Sequence, residues 1–495
     1  MMNFVDYLFE NSGFSDNPFL VGSDGVITYA SLYNDVNRVA SALFERYGSG
    51  KRMLLVSENN YFFIVSYLSI IKSGNTAVLI ETSIGERDLA QVLKNCSLTA
   101  YFVQKQFLDL FDDTAADIYI EDDLGVLSQE QSEFTSSDHP EDVAVIIFTS
   151  GSTGTKKGVM LTHKNLIANT DSILGYLHLT GSDRICIALP FFYCYGASLL
   201  HTHIRVGGSL VLNNKIFLGS VILDINRYQC TGFSGVPSTF QILIHRTHFL
   251  REELPSLRYF TQAGGHLPNK YIRMLIDAFP EKAFFVMYGA TEATARLSYL
   301  PPHLVREKMG SIGKGIPGVT LEVVDSHGNP VHPGEIGEIT AIGENIMKGY
   351  YNDPEGTAVA IRDGRYFTGD LATIDDEGYI YVVGRSKNII KSGGYRISPN
   401  EIEDLILSLE EVSGCVVVGI PDDMMGEAVT AVVQAGCAET EEVSTKILSL
   451  CNTSLPSYKV PMSVEFVDEY PLNSSNKVDR NRLKARIMEE RGLQE

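Results

Sequence analysis

The chain lacks a basic surplus. Its 495 residues carry 40 Lys and Arg against 61 Asp and Glu, a formal net charge of −21. A nucleic-acid binder should present a basic face, so this balance argues against that class. An anionic small substrate remains open if basic residues gather at one site. Only seven cysteines are present, none at paired spacing. They predict neither a disulfide framework nor a zinc site and fit a reducing cytoplasm. The opening "MMNFVDYLFENSG" has no basic start followed by an apolar run, so no signal peptide is expected. The most apolar stretch, Tyr61 to Ile80, is broken by Lys72, Ser73 and Gly74. It reads as a buried helix, a turn and a strand, not as a membrane span. Internal repeats, low-complexity segments and the G-x-S-x-G elbow of a serine hydrolase are also missing.

What is present is a 44% hydrophobic chain, long enough for two or more domains. Up to about residue 380, β-branched runs alternate with helical patterns: "MLLVS" at 53–57, "TAVLI" at 76–80 and "VAVIIF" at 143–148. That alternation predicts α/β layering with largely parallel sheets. The character changes near "GRSKN" at 384–388. Ser398, Pro399 and Glu401 spell a helix start, with Ser398 as N-cap. Ile402, Leu405, Ile406 and Leu409 then share one apolar face. "CVVVGI" and "VTAVVQ" follow as strand candidates, then an amphipathic helix from about Glu441. The predicted fold is α/β: a large multi-subdomain N-terminal domain (1–384) of layered sheets and helices, and a small α+β C-terminal domain (385–495).

The stretch "FTSGSTGTKKGVM", Phe148 to Met160, is the strongest local signal. Gly151, Gly154 and Gly158 let the backbone turn sharply and point N–H groups inward. Thr149, Ser150, Ser152, Thr153 and Thr155 add hydroxyls, and Lys156 and Lys157 add positive charge. Together they can make a nest for a polyphosphate. A mobile linker has similar composition, but the buried strand before the loop and the lysine pair within it argue against one. It is not a Walker loop, which needs Gly-Lys followed by Ser or Thr and a helix. Here an apolar strand should follow. "GKGIPG" at 313–318 matches G-x-G-x-x-G, yet Pro317 sits inside it and a strand pattern follows, so it reads as a structural turn.

The loop has companions in a fixed order: "YGATEA" at 288–293, "YFTGD" at 366–370, "GRSKNIIKSGGYRISPNEIE" at 384–403 and "NSSNKVDR" at 473–480. With these five segments the chain resembles the acyl-adenylating (AMP-forming) superfamily: acyl-CoA synthetases, adenylation domains of peptide synthetases, and luciferases. The resemblance implies ATP, Mg2+ and a pantetheine thiol as co-substrates and cofactor, and a mobile C-terminal lid. The reaction it implies has two halves. A carboxylate attacks the α-phosphate of ATP and releases pyrophosphate; a thiol then takes the acyl group from acyl-AMP.

On that resemblance, Thr149, Ser150, Gly151, Ser152, Thr153, Gly154 and Lys157 hold the departing phosphates. Tyr288 offers a face to adenine, Thr291 a hydroxyl to the α-phosphate, and Glu292 a carboxylate to Mg2+. Asp370 accepts from the ribose hydroxyls and Arg385 reaches ribose or phosphate. Gly265, His266 and Gly289 are assigned to the same ATP site. Lys477 bridges the attacking carboxylate and the α-phosphate, where negative charge gathers. Thr149, Glu292 and Lys477 are thus the implied catalytic set. Asn476 departs from the usual glycine before that lysine, though asparagine tolerates a left-handed backbone. Lys387 falls at the hinge position. Lys391, Gly393 and Gly394 would face the site in a second orientation, the glycines letting a thin pantetheine arm approach.

"LPFFYCYGAS" at 189–198 resembles the aromatic motif beside the acid pocket, with Tyr193 at the gating position. No aspartate lies between Phe191 and Gly196 to pair with an ammonium, which weighs against an amino acid. The other pocket candidates, Gly235, Ala263, Gly264, Ala290 and Ala295, are small and leave volume, so an apolar acyl or aryl acid is expected. Coenzyme A is the implied acceptor; an acyl carrier protein with the same arm is the alternative. A catalytically silent nucleotide-binding protein on this fold is a reading of another class. It should have lost the loop, Glu292 or Lys477, and all three are present.

Overall fold

The computed structural model describes residues 2–111, 116–126, 134, 139–149, 156–215, 217–435, 440–472 and 478–492. Ser150, Gly151, Ser152, Thr153, Gly154, Thr155, Asn476 and Lys477 therefore lie outside the described residues.

The β-branched runs form the strands expected of them: Arg52–Val56, Thr76–Leu79 and Val143–Thr149. They belong to a seven-stranded sheet whose central pairings are parallel. A nine-stranded sheet stands beside it. Its inner strands, including Gly232–Gly235, Tyr259–Gln262 and Ala283–Tyr288, are parallel neighbours. The apolar stretch after residue 60 is the helix Tyr61–Lys72, buried from Phe62 onward, followed by a turn and the strand Thr76–Leu79. Lys72 can be buried because its ammonium pairs with Asp6. One core joins residues of both sheets with the helices Phe4–Phe9, Tyr61–Lys72, His163–Leu177 and Cys194–Val206. No described helix is long and apolar enough to cross a membrane, and the described cysteines are all free.

Two sequence expectations need correction. Residues 319–385 do not continue the parallel alternation: apart from Gly349–Tyr350, their strands form a five-stranded sheet in which every pairing is antiparallel. Strands joined by a short turn, such as Ile361–Arg362 and Arg365–Ile374, pair antiparallel as a hairpin. Gly337–Gly343 pairs antiparallel with Arg365–Ile374 across a segment that includes the helix Pro354–Ala360. Ser398 does precede the helix Pro399–Ile406, but it makes no side-chain cap. Its hydroxyl donates instead to the carbonyl of Val383, tying the helix start to the preceding sheet.

The chain leaves that antiparallel sheet at the strand Ile380–Arg385 and enters a separate five-stranded sheet at Ile390–Ser392. Lys387 lies in the link. The long strands Val412–Asp422 and Gly426–Ala435 carry the "CVVVGI" and "VTAVVQ" runs. They pack against Ile402, Ile406 and the helix Thr440–Ser454 in a core of their own.

Candidate active site

Three adjacent parallel strands end at Gly235, Gln262 and Tyr288. Ligands collect at the carboxyl ends of such strands, where loops diverge and backbone groups are left to bind. This brings together five of the pocket candidates: Gly235 at the end of the first strand, Ala263 and Gly264 just past the second, and Ala290 and Ala295 past the third. The turn after Gln262 is held by its side-chain amide, which donates to Gly265 O at 2.8 Å, with Gly264 at φ +86°. Gly289 is required by close approach: a Cβ there would stand 1.9 Å from Ala295 O. Gly196 is required in the same way against Pro190 O, at 2.0 Å.

Tyr193 precedes the helix Cys194–Val206, and its hydroxyl donates to Glu81 Oε2 at 2.7 Å. The same buried Glu81 pairs with Lys156. A single carboxylate thus links the aromatic motif to Lys156 of the phosphate loop.

The strand Val143–Thr149 leads into the loop, and the strand expected after it, Lys157–Thr162, pairs back antiparallel with Thr149 opposite Lys157. Lys157 Nζ lies 2.8 Å from Asp353 Oδ2 and 4.6 Å from the centre of the Tyr350 ring. That ion pair, with the backbone hydrogen bond from Gly356, holds the Asp353 carboxyl below its ordinary value.

Thr291 and Glu292 occupy a short 3-10 turn, Thr291–Ala293. Glu292 Oε1 accepts from Tyr350 OH at 2.8 Å. Burial, then the Glu292 charge, pushes the Tyr350 phenol up, so it stays a donor. Tyr288 OH donates to Asp370 Oδ2 at 2.6 Å, and Arg385 Nε lies 3.1 Å from Asp370 Oδ1. Burial and then Asp370 raise the Tyr288 phenol well above its usual value. A carboxylate has about four acceptor positions, so buried Asp370 keeps capacity for further donors. Among the described residues no cluster of three or more His, Cys, Asp or Glu could hold a metal alone. One carboxylate beside a hydroxyl suits a Mg2+ shared with substrate phosphates.

Lys391, Gly393 and Gly394 lie on and after the strand Ile390–Ser392 and are exposed. The two glycines have φ +57° and +84°. A Cβ on Gly394 would meet nothing within 4 Å, whereas one on Gly393 would meet Met425 Cε at 2.7 Å.

His266 lies beside the pocket strands, and its Nε2 is 2.9 Å from Asp404 Oδ1, beyond the link at Lys387. Lys270 Nζ and Tyr271 OH donate to Leu409 O at 2.9 Å and Ser413 O at 2.5 Å. Burial disfavours the imidazolium, but the hydrogen bond and charge of Asp404 outweigh it, so the pKa rises above 6.5. The contact is therefore complete below the ordinary value and is lost as pH climbs through the raised one. A distance probe across the link should report tighter association at about pH 6 than at about pH 8. His266→Ala should flatten that profile; a wild-type signal independent of pH would contradict the assignment.

Sequence reasoning missed Glu81, Tyr350, Asp353 and Asp404. Tyr350 and Asp353 reach the loop only because Gly349–Tyr350 pairs with the strand Lys157–Thr162.

The sequence profile of the AMP-binding enzyme family matches residues 10–351, well over half the chain. The chain belongs to that family. Residues 401–477 match the AMP-binding enzyme C-terminal domain. A feruloyl-CoA synthase from Amycolatopsis sp is 32% identical over 467 residues, 93% of this chain and 94% of that protein. ATP-bound MatB from Rhodopseudomonas palustris superposes with a TM-score of 0.89 at 28% identity, over 98% of each chain. An anthranilate CoA ligase, AuaEII, bound to anthranoyl-AMP gives 0.91 at 26% identity, over 99% of this chain and 98% of its own.

Proposed function

We propose that this AMP-binding enzyme is an acid–thiol ligase: it activates a carboxylic acid with ATP and transfers the acyl group to coenzyme A. The carrying observation is the convergence of Thr291, Glu292, Tyr288, Asp370 and Arg385 with the end of the strand Val143–Thr149 around the carboxyl ends of parallel strands. Relatives named for CoA thioester formation, and a neighbour bound to an acyl-adenylate, support both halves of the reaction.

In the first half, one oxygen of the acid attacks the α-phosphorus and the bond to the β-phosphate oxygen breaks. The loop from Thr149 to Lys157 holds the leaving pyrophosphate. Lys157 must leave Asp353 to do so, exchanging one anion for another. Thr291 donates to the α-phosphate. Asp370 takes the ribose hydroxyls, with the Tyr288 ring against adenine and Arg385 beside the ribose or phosphate. Glu292 would hold Mg2+ together with triphosphate oxygens, supplying positive charge next to the phosphates. In the second half the CoA thiolate attacks the acyl carbonyl and AMP leaves. We assign the division at residues 384/385, the hinge at Lys387 and the pantetheine approach to Lys391, Gly393 and Gly394.

Incubation with ATP, CoA and an acid should yield AMP, not ADP, in step with acyl-CoA seen by mass spectrometry. ADP as product would overturn the reading. AMP without a CoA thioester would replace CoA with another acceptor, such as a carrier protein. Gly394→Val should lower thioester formation from supplied acyl-AMP about tenfold or more while sparing adenylation, because the added side chain stands where the arm approaches. Loss of adenylation instead would contradict the two-orientation assignment.

A further inference from the structure

Arg296 heads the largest fully buried side chains, at 2% exposure. It directly follows Ala295, a pocket candidate. Its carbonyl is fixed by the amides of Asn345 at 2.9 Å and Asn169 at 3.2 Å. Its guanidinium carbon lies 4.0 Å from the centre of the Tyr195 ring. That ring belongs to the aromatic motif, and its hydroxyl is anchored to Thr261, 3.0 Å from the carbonyl and 2.8 Å from the side chain.

The five N–H donors of Arg296 are poorly used. Nε points to Met287 Sδ at 3.4 Å, and Nη1 to Ala295 O at 3.4 Å. The contact to oxygen is long, and a thioether is a weak acceptor. Among the described residues no carboxylate stands within ion-pair distance of the guanidinium. The other basic side chain of comparable burial, Lys72, does have its carboxylate, Asp6. A guanidinium cannot neutralise itself by losing a proton, so burial without a counter-charge carries a large desolvation cost.

Tyr195 ties this cation to the pocket. It bonds to Thr261, whose hydroxyl in turn meets Ser234 at 2.6 Å. The strand of Ser234 ends at Gly235 and that of Thr261 leads into Ala263, while Ala295 precedes Arg296 itself. A cavity of about 10 Å³, bounded by Ala197, Ser198, Thr294 and Ala295, lies between the helix Cys194–Val206 and this loop. The cation thus adjoins the small residues of the pocket through Ala295 and Tyr195.

We infer that the acid activated here carries a second carboxylate, and that Arg296 binds it. This rests on the ligase reading above and names its substrate class. One carboxylate is adenylated near Thr291 and Glu292. The other meets the planar fork of Arg296, which matches carboxylate geometry bidentately. The apolar acid expected from the small pocket walls would leave the guanidinium unpaired, so the charge overrides that expectation.

The test compares matched acid pairs by acid-dependent ATP–pyrophosphate exchange: butyrate with succinate, octanoate with suberate, benzoate with phthalate. Wild-type protein should favour one diacid over its monoacid by about 100-fold in kcat/KM. Arg296→Met should collapse that ratio toward one, and Arg296→Lys should retain part of it. Wild-type preference for the monoacid overturns the inference, as does an equal proportional loss for both acids in Arg296→Met. If Arg296→Met does not fold, the wild-type ratio and the lysine variant decide. No exchange with any acid, in folded protein shown to bind ATP, overturns the ligase reading and this inference with it. Exchange confined to monoacids overturns only the inference.

Discussion

Lys477→Ala should slow acid adenylation by about 10²–10³-fold, roughly 3–4 kcal/mol of transition-state stabilisation. Supplied acyl-AMP should still be converted to thioester at a substantial fraction of the wild-type rate. The reason is where charge develops. As the carboxylate closes on the α-phosphorus, two anionic groups approach one another, and a fixed cation between them gains most at that moment. The thiol step has no such approach. Equal loss of both half-reactions would contradict the role. Single-turnover assays of each half separate the outcomes.

Asp370→Ala should lower kcat/KM for ATP by about 100-fold, close to 2.7 kcal/mol. In the folded chain this carboxylate accepts from Tyr288 OH and lies beside Arg385, and we assign its remaining acceptor positions to the ribose. Its removal therefore costs twice: the nucleotide loses an acceptor, and a buried phenol and a guanidinium lose their partner. Asp370→Asn should restore less than half of the loss in free energy, because an amide accepts through one oxygen only. ATP titration in a binding assay would show the same loss in Kd. An unchanged affinity for ATP would remove Asp370 from the nucleotide site.

The parallel core was legible because its strands are short, β-branched and buried on both faces, which leaves a run such as "VAVIIF" little alternative. The five motif segments were legible because each carries unusual residue types at fixed spacing. What escaped was set by pairing between distant segments. Asp353 holds Lys157 across nearly two hundred residues, and Glu81 holds Lys156 and Tyr193 from the second strand region. No periodicity announces such contacts. Ser398 shows the limit of local rules: the N-cap position is as read, but tertiary structure offered its hydroxyl a different acceptor. Arg296 shows it more sharply. In sequence it is a charge after a run of small residues, and charged residues usually sit in water. Only the packing of Tyr195, Met287 and Tyr176 around it reveals a buried cation.

The same contrast explains the two lysines of the loop. Their composition pointed to phosphate, yet both are paired with carboxylates in the described structure. The Lys157–Asp353 pair is partly exposed, hence weak and readily exchanged, whereas the Lys156–Glu81 pair is nearly buried. A triphosphate offers more negative charge than a single aspartate and can displace it.

Acid-dependent exchange of radiolabelled pyrophosphate into ATP tests the central claim most directly, because it reports reversible formation of an acyl-adenylate and needs no thiol. The account predicts exchange that requires an acid and Mg2+ and is lost in Lys477→Ala. Folded, ATP-binding protein that shows no exchange across aliphatic, aryl and dicarboxylic acids would contradict it.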